Sequence, residues 1–174
     1  MKKIFSLAPW KLFVVMILPY IPLGSDWIEL TLGTLVSIAG AIYGYSLGIA
    51  LYRRLPGGHR MNLKKFKFHF FFPVIYAVLL SIIILIAMPG ILDGSSDFQY
   101  GIPGAVFTIV FVLHLFAMYC IFYCMYFLAK ALITVETQNK NIETGNYIGY
   151  FFAFWFLPIG IWFIQPKVRE LVGR

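Results

Sequence analysis

Residues 69–90 read HFFFPVIYAVLLSIIILIAMPG and contain no Asp, Glu, Lys or Arg. A helix needs about 20 predominantly apolar residues to cross the hydrocarbon core of a bilayer, and this run has that length. Residues 30–52, 102–129 and 147–165 also lack these four charged residue types. The sequence therefore predicts an all-α fold, a polytopic transmembrane helical bundle with four clear spans.

The composition of the whole chain favours the same class. Of its 174 residues, 61% are apolar and only 12% are charged, whereas a soluble domain is about half apolar and about a quarter charged. A water-soluble fold of this size could not bury so much apolar surface. No connection is long enough to hold a soluble domain, so 1–174 is predicted to be a single integral membrane domain.

Residues 9–24 form a fifth apolar segment, which is shorter than the others and contains Lys11, Pro19 and Pro22. Proline interrupts a helix because it lacks an N–H and clashes with the preceding turn. The segment could span as a fifth helix, or it could enter one leaflet and return. No signal-peptide cleavage pattern follows it, which predicts that it is retained.

The orientation follows from the positive charges, because short cytoplasmic loops are enriched in Lys and Arg. The loop 53–68 carries six of them: Arg53, Arg54, Arg60, Lys64, Lys65 and Lys67. This loop and the N-terminus are therefore predicted to be cytoplasmic. The same six side chains are predicted to contact lipid head groups, which explains the net charge of +7 without a nucleic-acid partner.

Five spans would place the C-terminus on the opposite, periplasmic side, together with Lys167, Arg169 and Arg174. These three positive charges depart from the rule that places Lys and Arg inside. Pro158 and Gly160 interrupt 147–165 in its middle, so a re-entrant hairpin is the alternative to a full crossing. The full crossing is the preferred expectation because the length of the segment matches the hydrocarbon thickness.

Three glycines, Gly40, Gly44 and Gly48, lie four residues apart in 30–52, so they share one helix face. Glycine on such a face lets another backbone approach closely, which favours helix association in lipid. The pattern predicts helix packing, either within this bundle or between two copies of the chain.

His114 lies near the middle of 102–129, and an ionisable residue at that depth is a candidate functional position. Met118 and Met125 follow at helical spacing, but a metal site needs further ligands from other spans. Cys120 and Cys124 are interpreted as small apolar side chains. Neither a metal nor a cofactor is predicted.

Catalytic signatures are absent from the sequence, which contains no H-E-x-x-H, G-x-S-x-G, P-loop or dinucleotide fingerprint. Asp26 and Glu29 are close enough to act as paired carboxylates, but no base, nucleophile or metal accompanies them. With Trp27 they are typical of an outer turn at the membrane boundary. Asp93 and Asp97 are interpreted in the same way.

Three stretches carry a resemblance: YGYSLGIALYRRLPGGHRMNLKKFK (43–67) followed by PVIY (73–76), HLFAMYCIFYCMYFLAKALITVE (114–136) and FFAFWFLPIGIWFIQPKV (151–168). Together they resemble a family of small polytopic bacterial inner-membrane proteins without an established function. The resemblance covers roughly 43–168 and implies a multi-pass protein of the bacterial inner membrane. It supplies no active-site residues.

The sequence thus predicts a non-enzymatic accessory or structural membrane component. It would act through helix–helix contacts in the lipid bilayer, as a homo-oligomer or within a larger membrane complex. The alternative is a small transporter or channel with a site near His114 at the midplane, because broken helices mark such sites in transporters.

Overall fold

The computed structural model describes residues 5–22, 24–92, 104–139 and 142–172. All regular structure in these residues is helical, which confirms the all-α class. The elements are α1 (Pro9–Ile17), a 3₁₀ helix (Leu18–Tyr20), α2 (Asp26–Tyr52), α3 (Leu63–Leu92), α4 (Gly104–Thr137), α5 (Thr144–Trp155) and α6 (Leu157–Leu171).

Three helices are long and apolar enough to cross a membrane: Trp27–Tyr52 in α2, Leu63–Ile84 in α3 and Thr108–Thr137 in α4. Little of their surface is covered by the chain itself, and 0% of the most apolar window of α3 is buried. Continuous exposed apolar surface of this extent is not sustained by a soluble monomer. The helices therefore fit a membrane-embedded protein, although five spans are not confirmed.

The described residues fall into two compact units. The terminal unit comprises Met1–Leu63 and Met125–Arg174, and the central unit comprises Lys64–Cys124. The terminal unit contains α1, α2, the last part of α4, α5 and α6, whereas the central unit contains most of α3 and the first part of α4. A single domain over 1–174 stays a prediction.

Residues 147–165 do not form one spanning helix. The backbone leaves the helical region at Phe156 (φ −94°, ψ 54°), which separates α5 from α6. The two helices then pack so closely that a Cβ atom at Gly160 would lie 1.8 Å from the carbonyl oxygen of Ala153. A continuous helix would hold these two residues about 10 Å apart along its axis. The expected full crossing is therefore not confirmed, and the hairpin alternative based on Pro158 and Gly160 describes the backbone.

Because of the hairpin, the last residues of α6 lie beside the last residues of α2 and α4, at one end of the terminal unit. The amino group of Lys167 pairs with the carboxylate of Glu136, one residue before α4 ends. Arg54 follows α2, and its guanidinium donates to the carbonyl oxygen of Val172 (3.4 Å). Lys167 thus lies at the same end of the terminal unit as Arg54, whereas the membrane side of the C-terminal basic residues stays a prediction and Arg174 lies outside the described residues.

The buried core of the terminal unit gathers at this end, which we call the closed end. Its fully buried apolar side chains come from three helices: Leu47 and Leu51 of α2, Leu132 of α4, and Ile161, Ile164 and Val168 of α6, with Phe127 of α4 nearly so. The opposite end, where α2 begins at Asp26, contributes no side chain to this set and is called the open end.

Residues 9–24 form only a short helical segment beside α2. Pro9–Tyr20 would extend about 20 Å, less than the hydrocarbon thickness of about 30 Å. The left-handed backbone of Gly24 (φ 74°), which glycine adopts without strain, precedes α2. As a helix, Pro9–Tyr20 therefore covers only part of the hydrocarbon thickness, and whether the segment 9–24 spans or returns stays a prediction.

Candidate functional site

A large concavity of the terminal unit lies toward its open end. It has a volume of about 940 Å³, and its walls are α1 with the 3₁₀ helix, residues 29–43 of α2 and the first turns of α6. We call it the open groove. Apolar side chains form most of its lining, including Leu12, Val15 and Met16 from α1 and Leu30 and Ile42 from α2.

The middle of the wall that α2 contributes carries several small residues, among them Gly33, Ser37 and Gly40. A Cβ atom at Gly40 would meet nothing within 4 Å, and one at Gly33 would meet only Pro19, at 3.9 Å. Between them, the hydroxyl of Ser37 donates to the carbonyl oxygen of Gly33 (2.8 Å). Because this hydroxyl is satisfied within its own helix, the wall is smooth and nearly apolar.

The predicted glycine face of α2 runs from the open groove into the core. Gly40 is exposed, Gly44 is half-buried and Gly48 is buried. The structure thus places the three glycines along one continuous path, covered by the chain's own packing at one end and open at the other. Whether a partner helix covers the open part stays a prediction.

A buried polar cluster lies at the inner end of the open groove, and sequence reasoning missed it. The side chain of Gln165 is fully buried. Its amide nitrogen donates to the carbonyl oxygens of Phe5 (3.0 Å) and Leu7 (2.9 Å), and its amide oxygen accepts from the hydroxyl of Tyr43 (2.6 Å). Both amide hydrogens have partners, so the group is satisfied as a buried amide must be. We call this set the Gln165 cluster.

The Gln165 cluster explains how the backbone that precedes α1 is held between helices. Phe5 is helical and Leu7 lies in the bend before α1, so their carbonyl oxygens lack the partners of a helix interior. Irregular backbone at membrane depth is tolerated only where it is buried in protein or lines a polar cavity. The ring of Phe5 also packs edge-on against Tyr43, with centroids 5.8 Å apart. The cluster therefore fixes the N-terminal segment to α2 and α6. The sequence signal is that Gln165 is the one side-chain amide in 147–165.

His114 lies in the central unit, beside Tyr76 of α3. The Tyr76 hydroxyl and His114 Nδ1 are 3.5 Å apart, at the limit of a hydrogen bond, and the imidazole is exposed. Among the described residues, no three His, Cys, Asp or Glu side chains come together. The Tyr76 hydroxyl is therefore the one polar side-chain group that the described residues place within hydrogen-bonding distance of the His114 ring.

The remaining candidate positions are dispersed. The side chains of the predicted head-group set, Arg53, Arg54, Arg60, Lys64, Lys65 and Lys67, are all exposed, as a lipid contact requires. Cys120 and Cys124 are free and buried, in agreement with their interpretation as apolar side chains. Glu29 lines the outer end of the open groove, whose lining includes no histidine. Asp93 and Asp97 lie outside the described residues.

Lys167 belongs to a second polar cluster, which lies at the closed end. Its amino group contacts the carboxylate of Glu136 and lies 5.2 Å from the ring centre of Tyr150, and the Tyr150 hydroxyl donates to the other oxygen of Glu136 (2.9 Å). The Glu136 carboxylate and then the Tyr150 hydroxyl raise the pKa of Lys167 above its ordinary value. The three side chains join α4, α5 and α6.

Comparison with known proteins gives no family and no function for this chain. The chain matches no family model, no curated protein and no solved structure, and the resemblance to small bacterial inner-membrane proteins stays a prediction.

Proposed function

We propose that this chain is a multi-pass protein of the bacterial inner membrane that catalyses no reaction and acts by binding a transmembrane helix in the open groove. The observation that supports the proposal is the unfilled, small-residue wall of α2 at Gly33, Ser37 and Gly40. Where lipid surrounds both surfaces, helices associate through close backbone approach rather than through the hydrophobic effect. A smooth wall of this kind favours a helix over mobile acyl chains.

The closed end of α2 supports the same interpretation. There the glycine face continues to Gly48, which is buried beside the fully buried Leu47 and Leu51. The protein therefore already uses this face for packing along half of α2. A helix seated against Gly40 would continue the same packing toward the open end.

The proposal includes a topology. In it α2, α3 and α4 cross the bilayer as single helices, the N-terminal segment crosses with α1 covering only part of the thickness, and the α5–α6 hairpin enters partway. The N-terminus and the loop 53–68 are cytoplasmic, and the hairpin brings Lys167 and Arg169 to the same side. This arrangement satisfies the positive-inside rule better than five spans do, because the C-terminal positive charges no longer lie outside.

Reporter fusions test the topology. A fluorescent protein that folds only in the cytoplasm is fused after residue 174, and alkaline phosphatase, which is active only outside, is fused at the same position. We expect fluorescence and no phosphatase activity from the C-terminal fusions. Fusions within 93–101 serve as the control and should give the opposite pattern. Phosphatase activity at the C-terminus would contradict the hairpin topology.

Site-specific crosslinking tests the helix contact. A photoreactive residue replaces Ile42, which lines the open groove, or Leu79 of α3, whose exposure is similar. In native membranes we expect a discrete adduct of higher mass from position 42, abolished by Gly40→Leu, and none from position 79. Two differently tagged copies distinguish a second copy of the chain from another protein. Recovery of the monomer alone from both positions would refute the proposal.

A further inference from the structure

A second lysine of the terminal unit, Lys130, lies in an aromatic setting at the surface. Its amino group donates to the hydroxyl of Tyr126 (3.0 Å) and lies 5.4 Å and 6.0 Å from the ring centres of Tyr126 and Tyr147. The two rings meet edge to face, with centroids 5.4 Å apart. Lys130 is half-buried, and the negative faces of the two rings attract its ammonium group. The position of its ammonium group is thereby restricted.

The charge of Lys130 is not neutralised in the described part of the chain. Lys167 is ion-paired with Glu136, although both lysines contact tyrosines in similar ways. Lys167 has tyrosine and carboxylate partners, whereas Lys130 has tyrosines alone. Three N–H donors on one ammonium group and a single hydroxyl acceptor leave Lys130 able to bind an anion.

The position of Lys130 along α4 indicates which anion. The apolar stretch Thr108–Thr137 has 30 residues, about 45 Å of helix, and so exceeds the hydrocarbon core by about 15 Å. Lys130 is the first charged residue after 102–129, where the helix leaves the hydrocarbon. Tyrosines are enriched at this depth, and anionic phospholipids attract basic residues there.

We infer that Lys130, Tyr126 and Tyr147 form a binding site for the phosphate group of an anionic phospholipid. The ammonium group of Lys130 supplies the charge, and the two rings hold it at the depth of the phosphates. The site is independent of the open groove, since it lies on α4 and α5. It also includes none of the six exposed basic residues of the loop 53–68.

Lipid binding to the purified full-length chain tests this inference. Phosphatidylglycerol and phosphatidylcholine are titrated onto delipidated protein, and bound lipid is counted by native mass spectrometry. Lys130→Met should weaken phosphatidylglycerol binding about five-fold, about 1 kcal/mol at 1.4 kcal/mol per ten-fold, without affecting phosphatidylcholine. Lys167→Met is the matched control, because it removes the same charge from a neutralised site, and it should change binding less than about two-fold.

Two further measurements separate a loss of lipid binding from misfolding and from binding of free phosphate. Lys130→Arg retains the positive charge and should retain lipid binding, so a loss in Lys130→Met alone does not reflect misfolding. Inorganic phosphate should not displace the lipid at equal concentration, and displacement would overturn the assignment to a lipid. Equal losses in Lys130→Met and Lys167→Met, or equal binding of the two lipids by the wild type, would also overturn it.

Discussion

The two ends of α2 have similar apolar composition but opposite surroundings. Toward the closed end Leu47 and Leu51 are 0% exposed, whereas toward the open end Leu30 is 64% and Ile38 is 52% exposed. The difference comes from how far the neighbouring segments extend. The chain reverses direction at Phe156, and the first turns of α6 form only one wall of the open groove. In lipid an exposed leucine carries no penalty, so apolar composition alone does not require α2 to be covered along its whole length.

The largest effect should come from closing the space between α5 and α6. Gly160→Ala places a methyl group 1.8 Å from the Ala153 carbonyl oxygen, a backbone atom that cannot rotate away. We expect a loss of about 3 kcal/mol or more in the free energy of unfolding, the upper range for overpacking. Denaturant titration in detergent, followed by tryptophan fluorescence, measures it.

Gly40→Ala is the matched control at the open end, because its Cβ atom would meet nothing within 4 Å. It should leave stability unchanged or raise it by up to about 1 kcal/mol, the difference in helix propensity. Equal destabilisation by Gly160→Ala and Gly40→Ala would remove the distinction between the close contact of α5 with α6 and the unfilled wall of α2.

The second effect concerns the Gln165 cluster. Gln165→Leu leaves the buried carbonyl oxygen of Phe5, the part-buried one of Leu7 and the Tyr43 hydroxyl without their partner, and each unsatisfied buried group costs about 1–3 kcal/mol. We expect a total loss of about 3 kcal/mol in unfolding free energy, together with faster proteolysis near the N-terminus. Ser37→Ala, which removes a hydroxyl bonded within its own helix, should change stability by less than about 0.5 kcal/mol.

Tyr43→Phe sharpens this result, because it keeps the ring and removes only the hydroxyl. Alone it should cost about 1 kcal/mol, and in the Gln165→Leu background it should cost nothing further. Additive losses would show that Tyr43 stabilises the protein through packing and not through Gln165.

A smaller effect is expected from pH at the closed end. The folded-state pKa of Lys167 is raised from its ordinary value of 10.5, so the folded protein holds this proton more tightly than the unfolded chain. The resulting stability is fully present below about pH 10.5 and is lost as the pH rises through the folded-state pKa. The pair is partly exposed, so the change should stay below about 1 kcal/mol. Thermal unfolding across this range should show the decrease in the wild type and not in Lys167→Met.

The smallest effect should come from His114. Its bond to Tyr76 is at the distance limit and its ring is exposed, so His114→Ala should alter stability by less than about 0.5 kcal/mol. Reconstituted vesicles should show the same solute flux with either protein. A loss of flux in the variant would revive the alternative of a transporter with a site near His114.

Some positions could be predicted from the sequence because their physics is local. The uncharged runs 30–52, 69–90 and 102–129 predicted the three long helices, since length and composition alone determine whether a helix suits the hydrocarbon. The spacing of Gly40, Gly44 and Gly48 predicted one helix face for the same reason. Gln165 was missed because its importance depends on carbonyl oxygens 158 and 160 residues away in the chain.

The sequence by itself determined that this chain is helical, apolar enough for lipid and basic at identifiable connections, because these properties follow from residue type and helical period. Only the tertiary structure decided that 147–165 turns back at Phe156, that Lys167 lies at the same end of the terminal unit as Arg54, and that one end of α2 stays open. Those outcomes depend on whether particular backbones and polar groups meet in space. A run of apolar residues fits a crossing and a hairpin equally well.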